Sequence, residues 1–212
     1  MTKPVEGVSE KIIACAKEEF LKKGYSDASL RTIAAKAGTT TGSIYSRFQD
    51  KEGLFSAIVE PAADHLVQRF LHIQETFHGL EEEQQPKEMK HYVSSGMVEM
   101  IDYIYDHYDN FRLLLKCGDS GKFEDFIHNM VEREVEASQK YMKAMCDAGI
   151  EFPAVSKSLM HMIYTGFFSS VLQVIEHDMD RETAKKNVYQ LREFQTGGWE
   201  RLWNIKFPAE DK

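Results

Sequence analysis

Residues 11–55 read KIIACAKEEFLKKGYSDASLRTIAAKAGTTTGSIYSRFQDKEGLF, and this stretch decides the fold. Its apolar residues recur at helical spacing in short blocks, each opened by a capping residue. Ser9 is placed to cap a first helix with the stripe Ile12, Ile13, Ala16 and Phe20, which Gly24-Tyr25 ends. Ser29 caps a second, short helix whose inward face is Leu30, Ile33, Ala34 and Ala37, and Gly38 closes it. Thr40 caps a third anchored by Ile44 and Phe48. Asp50 then caps a longer helix that begins Lys51-Glu52 and buries Leu54, Phe55 and Ile58. Two short helices hinged about a glycine make a helix-turn-helix candidate.

The third of these helices is unusual in what it exposes. Thr40, Thr41, Gly42, Ser43, Tyr45, Ser46 and Arg47 are nearly all small or polar. Hydroxyls of that kind reach base edges and phosphates, and a glycine lets backbone approach closely. Periodicity alone leaves a second reading equally open, a solvated surface helix that happens to be rich in threonine.

Outward from this segment the chain reads as a second helical region. Pro61 is expected to bend or interrupt the fourth helix. Glu81–Gln85, followed by Pro86, reads as a loop before a helix carrying Val93, Met97, Met100, Ile101, Ile104 and Tyr108. Gly118-Asp119-Ser120-Gly121 is a break, and a further helix runs from Phe123 past Met145 to another break at Gly149–Pro153. The last two helices are apolar on more than one side. One has the stripes Leu159, Ile163, Phe167, Val171, Val174 and Met160, Tyr164, Phe168, Leu172, Ile175. The other, about 181–205, carries Val188, Leu191, Phe194, Trp199, Leu202 and Trp203 and tolerates Gly197-Gly198. Such helices need cover on two sides, and pairing with a second copy supplies it.

Composition bounds the function. Among the 212 residues the net charge is −8, but residues 1–55 hold nine Lys/Arg against seven Asp/Glu, so the acidity lies beyond them. Nucleic-acid binding needs a basic face, not a basic protein. No apolar run approaches the ~20 residues of a membrane span. Met1–Glu10 is polar and acidic, unlike a signal or transit peptide, which leads us to expect a cytoplasmic protein without membrane partners. Three cysteines without a CxxC pair suit reduced thiols rather than a disulfide framework. His65, His72 and His78, or His107 with Cys117, give no complete ligand set, so no metal is expected. No P-loop, GxSxG or dinucleotide fingerprint appears, so neither an enzyme nor a cofactor is expected. The alternative to DNA binding is a helical, dimeric adaptor or sensor without specific DNA binding.

Residues 11–55 resemble, without a gap, the DNA-binding domain of the TetR family of transcriptional regulators. The resemblance rests on Ile12, Ala16, Phe20, Gly24, Tyr25, Ile33, Ala34, Ala37, Gly38, Gly42, Ile44, Tyr45, Phe48, Lys51, Glu52, Leu54 and Phe55. Thr39 stands where the family usually has Val, Arg47 where His is common, and Asp50 where Ser or Asn is common. The resemblance implies an all-α protein: an N-terminal three-helix helix-turn-helix domain (1–55) and a larger helical effector-binding and dimerisation domain (56–212). It implies a regulator, usually a repressor, acting as a homodimer on a double-stranded, palindromic operator. Carried over by position, Thr40, Thr41, Gly42, Ser43, Tyr45, Ser46 and Arg47 would lie in the major groove. Tyr45 and Lys51 would hold phosphates, and Ser29 and Thr32 would reach the DNA backbone. An apolar or aromatic small molecule would bind among Tyr92, Met97, Met100, Tyr103, Phe111, Met130, Tyr141 and Phe168, with the homodimer formed through the last two helices.

Overall fold

Caps set the early helices. The Ser29 hydroxyl accepts from the Thr32 N–H at 3.4 Å, Thr40 Oγ1 from Ser43 N–H at 3.2 Å, and Asp50 Oδ1 from Gly53 N–H at 2.7 Å. Each satisfies a donor that a helix start leaves unpaired. Ser9 does not cap. It lies inside the first helix, whose N-terminal flank is Gly7 with no side-chain cap.

In this computed structural model, residues 7–81, 83–117 and 120–207 are described. Met1–Glu6, Glu82, Gly118 and Asp119, which enter the sequence reading above, lie outside them. The described helices are α1 (Val8–Asp27), α2 (Leu30–Lys36), α3 (Thr41–Phe48), α4 (Lys51–His78), α5 (Gln85–Asp106), α6 (Tyr108–Lys116), α7 (Lys122–Asp147), α8 (Lys157–Glu176) and α9 (Arg181–Trp203). No strand occurs among the described residues.

The chain packs as two compact units. The first takes residues up to Asp64 with His107–Asp125, the second His65–Asp106 with the residues from Phe126 on. Residue 55 therefore lies inside α4, and this one helix contributes its first half to the first unit and its second half to the other. Pro61 does not interrupt it.

In the first unit, Ile12, Ala16, Phe20, Ile33, Ala34, Ile44, Leu54, Phe55 and Ile58 are each no more than 3% exposed. Ile13, Leu30, Ala37 and Phe48 are only half-buried. The Phe55 ring meets Phe20 and Tyr25 edge-on, each with centroids 5.2 Å apart. Gly24-Tyr25 does not end α1: Gly24 kinks it with φ 77° and ψ 177°, a region closed to residues with a side chain, and the helix runs on to Asp27. Buried Glu19 receives Lys23 at 3.1 Å and Lys36 at 3.6 Å, tying α1 to α2, and the Lys23 hydrogen bond holds its carboxyl below the usual range.

The expected helix through Tyr108 is two helices. It stops at Asp106, and α6 packs on α1 with Phe111, Leu113 and Leu114 buried. Asn110 fixes α6: its amide donates to the Ile58 carbonyl at 2.7 Å, and its oxygen accepts from Lys17 at 3.1 Å.

In the second unit α9 packs against α5 and α8. Lys185 meets Asp102 at 2.7 Å, and the Tyr105 hydroxyl donates to the Met179 carbonyl at 2.8 Å. Gly96 lets α5 approach α4, since a Cβ there would lie 3.0 Å from the Ile73 side chain. Contrary to the expectation from the sequence, α8 is long and apolar enough, by length and composition alone, to cross a bilayer. Met160, Tyr164, Phe168, Val171, Leu172, Val174 and Ile175 of α8 are nevertheless buried in the unit.

The tightest joint is between α3 and α4. Asp50 N–H donates to the Phe48 carbonyl at 2.8 Å across Gln49, whose φ of 70° and ψ of −55° form a strained γ-turn. That carbonyl faces Gly53, where a Cβ would lie 2.0 Å from the oxygen. Gly53→Ala is therefore expected to cost about 2 kcal/mol or more, because backbone must move. Gly42→Ala, whose Cβ meets only Thr40 Oγ1 at 3.7 Å, should be neutral or stabilising by up to ~1 kcal/mol. Denaturant melts of the two variants check this; equal midpoints would mean the joint accepts a side chain.

Candidate functional site

α3 stands on one buried residue, Ile44, and turns its remaining side chains outward or half outward. Thr40, Gly42, Tyr45 and Ser46 are exposed, Tyr45 by 52%, while Thr41, Ser43 and Arg47 are half-buried. These seven expected residues share one short helix and its cap. Arg47 is held along the helix: its Nη1 donates to Ser43 Oγ at 2.7 Å and to the Ser43 carbonyl at 3.3 Å. Its guanidinium still has donors to offer an anion.

The other expected contacts are partly engaged within the protein. Lys51 Nζ donates to the Ser26 carbonyl at 2.8 Å and lies 5.1 Å from the Tyr25 ring centroid. An ammonium carries three donors, so two remain. Ser29 spends a lone pair capping α2, and Thr32, half-buried, is the residue whose N–H it caps. Arg31, exposed on α2 beside them, is a cation that the sequence reading passes over.

The second unit encloses a cavity of about 180 Å³. Of the eight expected ligand residues, Tyr92, Met97, Met100, Tyr141 and Phe168 line it. Tyr103, Phe111 and Met130 do not. Tyr103 stacks on His65 with centroids 4.9 Å apart, Phe111 is buried in the first unit, and Met130 is 1% exposed away from the cavity lining. Trp199 and Trp203, which the sequence places among the apolar residues of the last helix without assigning them a face, also line it and are 6% and 4% exposed.

The walls form a chain of ring contacts. Tyr164 lies 5.0 Å from Trp199, Trp199 stacks on Trp203 at 4.9 Å, and Trp203, Tyr141, Phe77 and Tyr92 follow at 6.3, 5.9 and 5.8 Å. The polar atoms are few and placed apart. The indole N–H groups of Trp199 and Trp203 and the side-chain amide of Gln195 are buried donors that find no acceptor among the described residues. Buried donors of this kind are costly unless a ligand or water accepts from them. Ser138 Oγ and the Tyr164 hydroxyl lie 2.6 Å apart. Glu134 accepts from Gln74 at 2.7 Å, and removal from bulk water pushes its carboxyl up to about 7. Burial, with the Glu134 charge beyond it, pushes the Tyr164 phenol well up, and burial takes Tyr141 to about 12.

A carboxyl raised from 4.5 to about 7 favours the folded state while protonated, and that contribution fades as pH rises through about 7. Glu134→Gln should therefore raise stability at pH 8 by about 1–3 kcal/mol and leave it nearly unchanged at pH 5. Melting curves at the two pH values check it; an equal shift at both would assign the effect to packing rather than charge.

The description "Bacterial regulatory proteins, tetR family" matches residues 12–58. The uncharacterized HTH-type transcriptional regulator YvdT of Bacillus subtilis is 38% identical over 80 residues, 36% of this chain and 41% of that protein. The HTH-type transcriptional repressor BepR of Brucella suis is 40% identical over 50 residues, 24% of each chain. The matches thus span less than half the length of these relatives. Among solved structures, SmeT, the repressor of the Stenotrophomonas maltophilia multidrug efflux pump SmeDEF, superposes with a TM-score of 0.63 at 17% identity, covering 90% of this chain and 89% of its own. A regulator from Aquifex aeolicus superposes at 0.61 with 19% identity, covering 89% and 99%. Residues 12–58, from α1 into α4, are thus similar to the tetR family of bacterial regulatory proteins, and the described residues share the fold of SmeT.

Proposed function

We propose that this protein is a sequence-specific DNA-binding transcriptional regulator, a ligand-responsive repressor that acts in the cytoplasm as a homodimer on a palindromic operator. The observation that carries this reading is α3 itself: small hydroxyls, a glycine and an exposed Tyr45 on a helix pinned from below by Ile44. Thr41, Ser43 and Ser46 read bases in the major groove, and Tyr45, Arg47 and Lys51 hold phosphates. Residues 1–55 carry the reading function, and 56–212 carry effector binding and pairing.

The effector has an aromatic or apolar body and at least one acceptor oxygen. The ring-lined walls suit the body, and the donors of Trp199, Trp203 and Gln195 suit the acceptor. SmeT has been described in complex with triclosan. From that neighbour we take the class of small aromatic ligand, not the compound. Coupling runs through α4, whose start carries Lys51 and whose later turns give Phe70, Ile73, Gln74 and Phe77 to the cavity. A ligand shifts DNA affinity only by its differential affinity for two arrangements of that helix.

Pairing uses the outer faces of α8 and α9. Met162 is 70% exposed, Phe194 79% and Tyr189 50%, and Gly197 and Gly198 face open space. Leu172, which the sequence pattern also offers, is 3% exposed within the chain and belongs to its core.

Binding to the DNA upstream of the protein's own gene, measured by anisotropy across a salt series, tests the reading. Wild type should select a palindrome over random DNA, with affinity falling steeply as salt rises. Tyr45→Ala should weaken all sequences about tenfold, and Thr41→Ala should alter preference among them. Indifference to sequence in wild type would leave a helical adaptor instead. For pairing, sedimentation of Phe194→Asp should show a monomer where wild type is a dimer at micromolar concentration; a wild-type monomer would remove the dimer from the reading.

A further inference from the structure

α7 carries His128 and Glu132 one turn apart, and α8 carries His161 beside them; one ligand atom from each lies within 4.8 Å of the others. His128 is exposed, while Glu132 and His161 are half-buried. The His161 ring is oriented by Thr165. The Thr165 hydroxyl donates its proton to the His161 carbonyl oxygen at 2.8 Å, so towards Nδ1, at 3.4 Å, it offers a lone pair. Its Nε2 lies 3.4 Å from Glu132 Oε1. In the Nδ1–H tautomer that nitrogen and the carboxylate oxygen are both acceptors, and a cation between them satisfies both.

The spacing fits such a cation. Bonds of about 2.0–2.1 Å at a tetrahedral angle set two ligand atoms about 3.4 Å apart. His128, its ring centroid 5.9 Å from that of His161, approaches from the preceding turn of α7. Lys157 Nζ takes the other carboxylate oxygen, Oε2, at 3.1 Å. That leaves Oε1 as the coordinating atom and fixes the carboxylate, as outer partners of metal ligands do. The nearby ammonium also opposes a second cation, so the site is weaker than a closed structural one.

We propose that His128, Glu132 and His161 bind a first-row divalent transition ion, Zn2+, Co2+ or Ni2+, through two imidazole nitrogens and one carboxylate oxygen, water completing the shell. Imidazole ligands select these ions over magnesium and calcium. The ion fastens α7 to α8 across a pair of side chains that otherwise needs a proton. This inference stands apart from the effector reading, since none of the three residues lines the cavity.

The test uses the untagged full chain carrying Cys146→Ser, which removes an exposed thiol. Calorimetry with Zn2+ and visible absorption with Co2+ should report one ion per chain at micromolar affinity. His128→Ala and His161→Ala should each weaken binding at least about tenfold. Lys157→Gln, which removes the opposing charge, should tighten it. Zinc should raise the melting temperature of the parent and not that of His161→Ala. All three ligands reach solvent, so the variants are expected to keep their circular dichroism. Unchanged zinc affinity in both histidine variants would overturn the proposal. So would a parent that fails to saturate at millimolar zinc.

Discussion

No side chain fits between the Phe48 carbonyl and residue 53, and the first unit is arranged around that constraint. The γ-turn at Gln49 turns the carbonyl towards α4, and only a glycine at 53 lets α4 start there. With the start fixed, Leu54 and Phe55 are buried, and Phe55 meets Phe20 and Tyr25 of α1. The same helix then runs without a break past Pro61 to the residues that line the cavity. A few ångströms of backbone thus set the register of a helix of 28 residues.

Local rules made much of this legible in the sequence, because they act within four residues. Ser29, Thr40 and Asp50 cap as read, and Gly24 and Gly38 adopt the positive φ that their turns require. What escaped was set by distant partners. Nothing at His107 announces a break; α6 separates from α5 where Asn110 reaches Ile58 and Lys17, some 50 and 90 positions away. Gly53 looked like an ordinary helical residue because its neighbour, the Phe48 carbonyl, depends on the turn before it.

The sites were legible to different depths. The outward side of α3 could be read because one buried residue in a polar helix leaves no doubt which side is in. In α8 and α9 several sides are apolar, and periodicity does not say which stripe meets the chain's own core. The pattern therefore does not separate Trp199 and Trp203, which are buried, from Phe194 and Met162, which are exposed. Tyr103, Phe111 and Met130 were chosen by residue type, and type does not distinguish a cavity wall from filled core. The His128 and Glu132 pair has helical ligand spacing, but its third member, His161, comes from another helix.

Gly197 and Gly198 sit immediately before Trp199, with nothing within 4 Å of where their side chains would be. Each weakens a helix by ~1 kcal/mol relative to alanine, so the last turns of α9 hang from its least stable stretch. Those turns carry both tryptophans of the cavity wall. In the homodimer proposed above, a second copy on that side of α9 would give the stretch support that a lone chain lacks, and wall and assembly would share one equilibrium. Dilution then erodes the wall as well as the pairing. Ligand titrations run at nanomolar and at micromolar protein would return different affinities, a consequence of mass action rather than of recognition.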